Sequence, residues 1–148
     1  MGQEMFSVQV GVRSYETDAN GHVNHAVYHH YGEHARMEHF RAAGCSAPLL
    51  LERGWTVVIL ETHARFLSEL LLGEQVEVSS ELRFGEGKSF GMEHVVRRLA
   101  TADGEAAGGT VACEISCRMG VLDTTARRLV ADPRGKLLSM ATRPELIG

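Results

Sequence analysis

The sequence predicts an α+β protein in which one long helix packs on an antiparallel β-sheet of about five strands. Three observations carry that prediction. Near the start, Phe6, Val8, Val10 and Val12 alternate with Ser7, Gln9, Gly11 and Arg13, the period of a half-buried strand. A long stretch bounded by Asn24 and Gly44 carries helix start and stop signals. From Trp55 to about Leu122 nearly everything reads as β.

After the first strand comes a loop rich in Asp, Asn and Gly, as turns require. Asn24 is placed to cap a helix from about His25 to Ala43, and Gly44 to end it in the left-handed conformation. The apolar residues Ala26, Val27, Tyr28, Tyr31, Ala35 and Phe40 spread around much of its circumference. Gly32, mid-helix, costs about 1 kcal/mol relative to Ala. Both features suit a helix wrapped by a sheet, with Gly32 permitting close approach.

Cys45 to Gly54 reads as a connector containing Pro48. Four strands follow in a meander: Val57 to Leu70, Gln75 to Phe84, Ser89 to Thr101 and Val111 to Val121. Gly85-Glu86-Gly87-Lys88 and Ala102-Asp103-Gly104-Glu105 supply hairpin turns. Residues 131–148 read as a tail or short helix, and residues 1–148 as one domain with no internal repeat.

Composition narrows the function. A chain of 148 residues buries roughly two-thirds of its unfolded surface. Its 44% hydrophobic and 23% charged content is that of a globular protein. No apolar run approaches the ~20 residues of a membrane span. The start, MGQEMFSVQV, lacks the basic and apolar regions of a signal peptide. A net charge of −4 argues against general nucleic-acid binding. Cys45, Cys113 and Cys117 show no metal spacing, and their odd number fits a reducing compartment. Cys113 and Cys117 should both point inward from one strand face. The expectation is a cytoplasmic protein with no membrane partner.

The chemistry concentrates between Tyr15 and Arg36, YETDANGHVNHAVYHHYGEHAR. Asp18 sits three residues before a Gly-His pair and just ahead of the helix, whose first turn carries unpaired N–H groups and the positive dipole end. A carboxylate beside oriented donors suits acyl chemistry, one acting as base or nucleophile and the others holding a carbonyl oxygen as it gains charge. Spacing alone also allows a simple turn, with Asp18 capping backbone N–H groups.

Asp18, Gly21, His22, Val23, Asn24 and Tyr28, read as D-x-x-G-H-V-N-x-x-x-Y, resemble the signature of hotdog-fold acyl-CoA thioesterases, in the branch related to 4-hydroxybenzoyl-CoA thioesterase. The resemblance implies Asp18 as general base or nucleophile on an acyl-CoA, or an acyl-carrier-protein thioester. It implies homodimers or tetramers with active sites at the subunit interface. It also implies no cofactor, coenzyme A entering only as part of the substrate.

Other candidates follow. His22 is a supporting residue. Gly21 acts through its backbone, since Gly permits φ > 0 and close approach. The N–H groups near Asn24 and His25 are the candidate carbonyl donors. Tyr28, Tyr31, Trp55, Val58 and Glu61 are candidate pocket residues, though core packing explains the aromatics equally and a salt bridge explains Glu61. Lys88, Ser89, Arg97 and Arg98 are read as a positive cluster for coenzyme A phosphates, or else a solvated strand face. His25/His29 and His30/His34 have the i,i+4 spacing that can hold zinc, but they lack the Glu of H-E-x-x-H and point in different directions, so no metal site is expected. Two other functions stand beside hydrolysis: a hotdog acyl-CoA hydratase or dehydratase using Asp18 and His22, and a non-catalytic acyl-CoA sensor.

Overall fold

The computed structural model describes residues 5–148; the first four residues of the segment read as free of a signal peptide lie outside them. Strand β1 (Phe6–Gly11) leads through a short 3-10 turn (Ser14–Glu16) and the motif loop into helix α1 (His25–Ala43). A short helix α2 (Ala47–Glu52) follows, then β2 (Trp55–Phe66), β3 (Gln75–Phe84), β4 (Ser89–Ala100), β5 (Ala106–Asp123) and the two-residue β6 (Arg128–Leu129). Helix α3 (Pro133–Met140) and a 3-10 turn (Pro144–Leu146) close the chain.

Both ends of α1 form as their residues dictate. The Asn24 side chain accepts the Ala26 N–H at 2.9 Å, and Gly44 adopts φ 94°. Gly32 fits the sheet closely: a Cβ there would lie 3.2 Å from Ile115 Cδ1 and 3.5 Å from His94 Cδ2. The expected connector after Gly44 is instead partly helical, because Pro48 falls in the first turn of α2, where a missing N–H costs nothing.

The strands form one curled antiparallel sheet in the order β1-β3-β4-β5-β2, with β6 on β5. The expected meander therefore holds only for β3-β4-β5. Strand β2 pairs with β5, not β3, because β1 and β4 occupy both edges of β3. The link from β2 to β3 crosses the end of the sheet, tied to the motif loop by Val23 N–H to Leu70 O and to the end of β1 by Val12 N–H to Glu74 O, both 2.9 Å.

Helix α1 packs on β1, β3, β4 and β5. Val76, Val78, Met92, Val96, Cys113, Ile115, Cys117 and Met119 meet Tyr31, Ala35 and Phe40 in the core. The inward strand alternation, Cys113 and Cys117 included, is as expected. The C-terminal segment belongs to that core: Leu137, Leu146 and Ile147 are fully buried, and buried His39 of α1 donates from Nε2 to the Leu146 carbonyl at 2.7 Å. No helix among the described residues is long and apolar enough to cross a membrane.

Candidate active site

The motif loop is tied together by its own hydrogen bonds. Oδ1 of Asp18 accepts from the Asn20 N–H at 2.9 Å and the His22 N–H at 3.3 Å, closing an Asx turn. The Gly21 N–H donates to the Asp18 carbonyl and Gly21 takes φ 77°, the left-handed value anticipated for it. The exposed Asp18 carboxylate keeps Oδ2 free of hydrogen bonds from the described residues.

At the helix start the donors divide clearly. Asn24 N–H goes to the Glu16 carbonyl, Ala26 N–H to the Asn24 side chain and Val27 N–H to the Asn24 carbonyl. Asn24 is thus a cap, and the N–H of His25 is the first-turn donor left without a partner among the described residues. His22 does not turn to Asp18. Its Nε2 lies 2.9 Å from Glu69 Oε2, in an exposed pair that pins the β2–β3 link to the motif loop.

Beneath the loop is a buried anchor that sequence reasoning missed. Glu16 is only 6% exposed, accepting from the Arg13 guanidinium at 2.7 Å, the Arg13 N–H at 2.8 Å and the Tyr31 hydroxyl at 2.9 Å. Burial opposes its charge, but the bonds from Arg13 and Tyr31 outweigh that and hold the carboxyl below its ordinary range. Tyr31 thereby serves the loop, and burial keeps its phenol protonated.

Tyr28 is also buried, edge-on to Phe66 at 5.4 Å, and Phe66 meets His25 at 6.5 Å. Phe66 is 51% exposed, so this aromatic stands open beside the His25 ring. Its place in a strand that was expected to continue to Leu70 hid it; the signal available was a large apolar residue at the true end of β2.

Other candidates lie elsewhere. Trp55, at the opposite end of β2, stacks under Lys136. Leu60 is a bulge between the register positions Ile59 and Glu61. Beyond it Thr62, Ala64 and Phe66 face α1, while Glu61 turns to the other face and bonds Arg118 at 2.6 Å. Val58, opposite Gly120, alternates away from Val57 and Ile59. Glu61 and Val58 are thus not on the helix side of their own sheet.

The expected positive cluster is split. Ser89 and Arg98 stand at opposite ends of β4, about 30 Å apart at ~3.3 Å per residue. Lys88 and Ser89 are at the far hairpin, whereas Arg97 and Arg98 lie near the motif loop. Arg98 is 3.0 Å from Glu74 Oε2, off the Nε–H axis and therefore an ion pair, and it also donates to the Glu69 carbonyl. Arg97 is exposed and reaches the Gly109 carbonyl at 3.4 Å. Among the described residues no group of three or more His, Cys, Asp or Glu is placed to hold a metal.

Comparison with known proteins settles the family. The profile of the thioesterase-like superfamily matches residues 12–140. The chain belongs to that superfamily. This thioesterase-like chain is 30% identical over 96 residues, 65% of its length, to the chloroplastic acyl-acyl carrier protein thioesterase ATL3 of Arabidopsis thaliana. It is 32% identical over 85 residues, 57% of its length, to a putative esterase of Aquifex aeolicus. The matches span 50% and 66% of those relatives.

Solved structures share the superfamily fold. A Staphylococcus aureus protein in complex with CoA superposes with a TM-score of 0.79 at 22% identity, over 94% of this chain and 84% of that one. The 1,4-dihydroxy-2-naphthoyl-CoA thioesterase of Synechocystis gives 0.77 at 12% identity, over 93% and 96%. The resemblance drawn from D-x-x-G-H-V-N-x-x-x-Y is borne out for the family, and the curled antiparallel sheet with its helices is consistent with a hotdog fold.

Proposed function

We infer that this protein is a thioesterase that hydrolyses an acyl thioester of coenzyme A or of an acyl carrier protein. The observation that carries the reading is Asp18: a carboxylate held in an Asx turn just ahead of a helix, its Oδ2 and the His25 N–H both without a hydrogen-bond partner among the described residues. The thioester oxygen would accept from the His25 N–H as it gains negative charge. Asp18 would take a proton from the attacking water, or attack the carbonyl itself to give an anhydride that water then opens. In the first route the proton taken by Asp18 passes to the sulfur as the carbon–sulfur bond breaks; in the second the sulfur leaves as a thiolate that takes its proton from solvent, and water opening the anhydride restores the Asp18 carboxylate. His22 supports the loop through Glu69.

The fine architecture belongs to the same proposal: α1 as the central helix of a hotdog fold, and a homodimer, or pair of dimers, with its sites between subunits. Strand β2 supports this, a twelve-residue edge with one side unpaired among the described residues and with Ile59, Leu60 and Phe66 exposed. No cofactor is required. The free, buried thiols of Cys45, Cys113 and Cys117 support a reducing, cytoplasmic setting.

The test is thiol release from a panel of acyl-CoAs, aromatic through long-chain, and from an acyl carrier protein ester, with wild type beside Asp18→Asn. The substitution should cost about 10²-fold or more while fold and assembly persist. Undiminished release by Asp18→Asn would sink the mechanism, and no release by wild type would sink the activity. The His22–Glu69 contact, a proton-transfer pair beside Asp18, favours hydration of an enoyl-CoA as the second reading. Loss of enoyl absorbance without thiol release would establish it. Binding of acyl-CoA with neither reaction would instead make the protein a sensor.

A further inference from the structure

A groove of about 380 Å³ lies between the C-terminal half of α1, α2 and the β2 edge. Its walls are largely apolar, among them Met37, Phe40, Leu50, Val57, Ile59 and Met119. One half-buried cation, Arg36, enters it from α1. Nη1 of Arg36 meets only weak acceptors, His94 Nε2 and Cys117 Sγ, each at 3.4 Å. No carboxylate among the described residues lies within ion-pair distance of it.

The groups below Arg36 do not offset its charge. His94 donates from Nδ1 to the Ser79 carbonyl at 3.0 Å, leaving Nε2 as the acceptor toward Arg36. Burial, with the Arg36 charge added, pushes the His94 pKa down to about 4, so the ring is neutral. Of the other charged residues lining the groove, Glu38 and Arg41 are paired and Glu33 is exposed at its rim. A guanidinium carries five N–H donors, and those not used on His94 and Cys117 are open to the groove.

The groove is remote from the Asp18 of its own chain. Arg36 follows His25 by eleven residues, about 16 Å along the helix. Along β2 the groove touches Thr56, Val57 and Ile59, while Phe66, at the other end, stands beside His25. Antiparallel pairing of two β2 edges about their middle sets the Phe66 end of one copy against the Thr56–Ile59 end of the other. The groove of the second copy then continues the Asp18 site of the first.

Resting on the thioesterase reading, the geometry points to Arg36 as the residue that selects the acyl group: a largely apolar chain ending in an anionic oxygen, held by the guanidinium across the subunit boundary. Apolar walls alone would accept any chain of suitable length. A half-buried guanidinium among them, with no carboxylate partner among the described residues, disfavours a purely aliphatic end and favours one that supplies an anionic acceptor.

The test compares suberyl-CoA, whose eight-carbon chain ends in a carboxylate, with octanoyl-CoA. Wild type should favour suberyl-CoA by about tenfold or more in kcat/KM, mostly through KM. Arg36→Met should abolish or reverse that preference, and Arg36→Lys should restore part of it. The ratio between two substrates on one preparation is insensitive to the fraction folded. A wild-type preference for octanoyl-CoA, or an Arg36→Met ratio equal to wild type, overturns the inference and leaves hydrolysis standing. Should wild type cleave neither ester, the hydrolytic reading is decided by the wider acyl-CoA and acyl carrier protein panel, and titrating both esters into Asp18→Asn decides the inference. Tighter suberyl-CoA binding that Arg36→Met removes sustains selection by Arg36; equal binding ends it.

Discussion

The Tyr31 hydroxyl donates a 2.9 Å hydrogen bond to Oε1 of Glu16, joining the core of α1 to the underside of the loop that presents Asp18. Both partners are buried, so the bond has little competition from water. Tyr31→Phe leaves the carboxylate with Arg13 alone and should destabilise the fold by about 1–3 kcal/mol, seen as a lower denaturant midpoint at unchanged slope. Glu16→Gln with Tyr31→Phe should cost less than the two single changes summed. Full additivity would show that the two side chains act independently.

Gly32 tests the fit of α1 on the sheet. Alanine gains about 1 kcal/mol of helix propensity, but its Cβ meets the tip of Ile115 at 3.2 Å. That tip can yield by a few tenths of an ångström, so Gly32→Ala should stay within about 1 kcal/mol of wild type. Gly32→Leu has nowhere to go between His94 and Ile115 and should lose about 1–3 kcal/mol. Thermal unfolding of both variants checks the contrast.

These cases mark what was legible in the chain. Signals satisfied within a few residues were readable: the Asn24 cap, the Gly44 stop, the alternation in β3 and β5 and the tight seat of Gly32. What depended on distant partners was not. The place of β2 beside β5 follows from which strand edges remain open, and nothing in β2 itself records that. The Leu60 bulge then sets the faces of Glu61 and Phe66, which a run of uniform alternation misassigns. The Asp18 turn was readable because it is local; Glu16, two residues earlier, gave no sign that Tyr31 would complete it.

Two buried histidines make stability depend on pH. The folded-state pKa of His94 is about 4 against an ordinary 6.5, through burial first and Arg36 second, and burial lowers that of His39 as well. A depressed value means the unfolded chain takes up protons more readily. The stabilisation is therefore complete above about pH 6.5 and is lost as pH falls toward 4. For His94 the full loss is on the order of 3 kcal/mol, since one pKa unit is worth about 1.4 kcal/mol. His94→Gln should flatten the unfolding free energy between pH 6.5 and 4. A wild-type curve already flat across that window would show that His94 titrates normally.

The free side of β2 makes the last prediction. A twelve-residue edge with exposed Ile59, Leu60 and Phe66 is a template for another strand, and an identical β2 pairs antiparallel with it about a two-fold axis. Leu60, exposed at the bulge, can take a charge without disturbing the core of its own subunit. Leu60→Glu sets two like charges near that axis and should turn a dimer at micromolar concentration into a monomer by sedimentation velocity, with circular dichroism unchanged. Thioester hydrolysis should fall with the dimer fraction and recover as protein concentration rises, because Asp18 lies at one end of the strand and the acyl groove at the other. A monomeric variant that keeps its full rate per chain would place the whole site within one subunit.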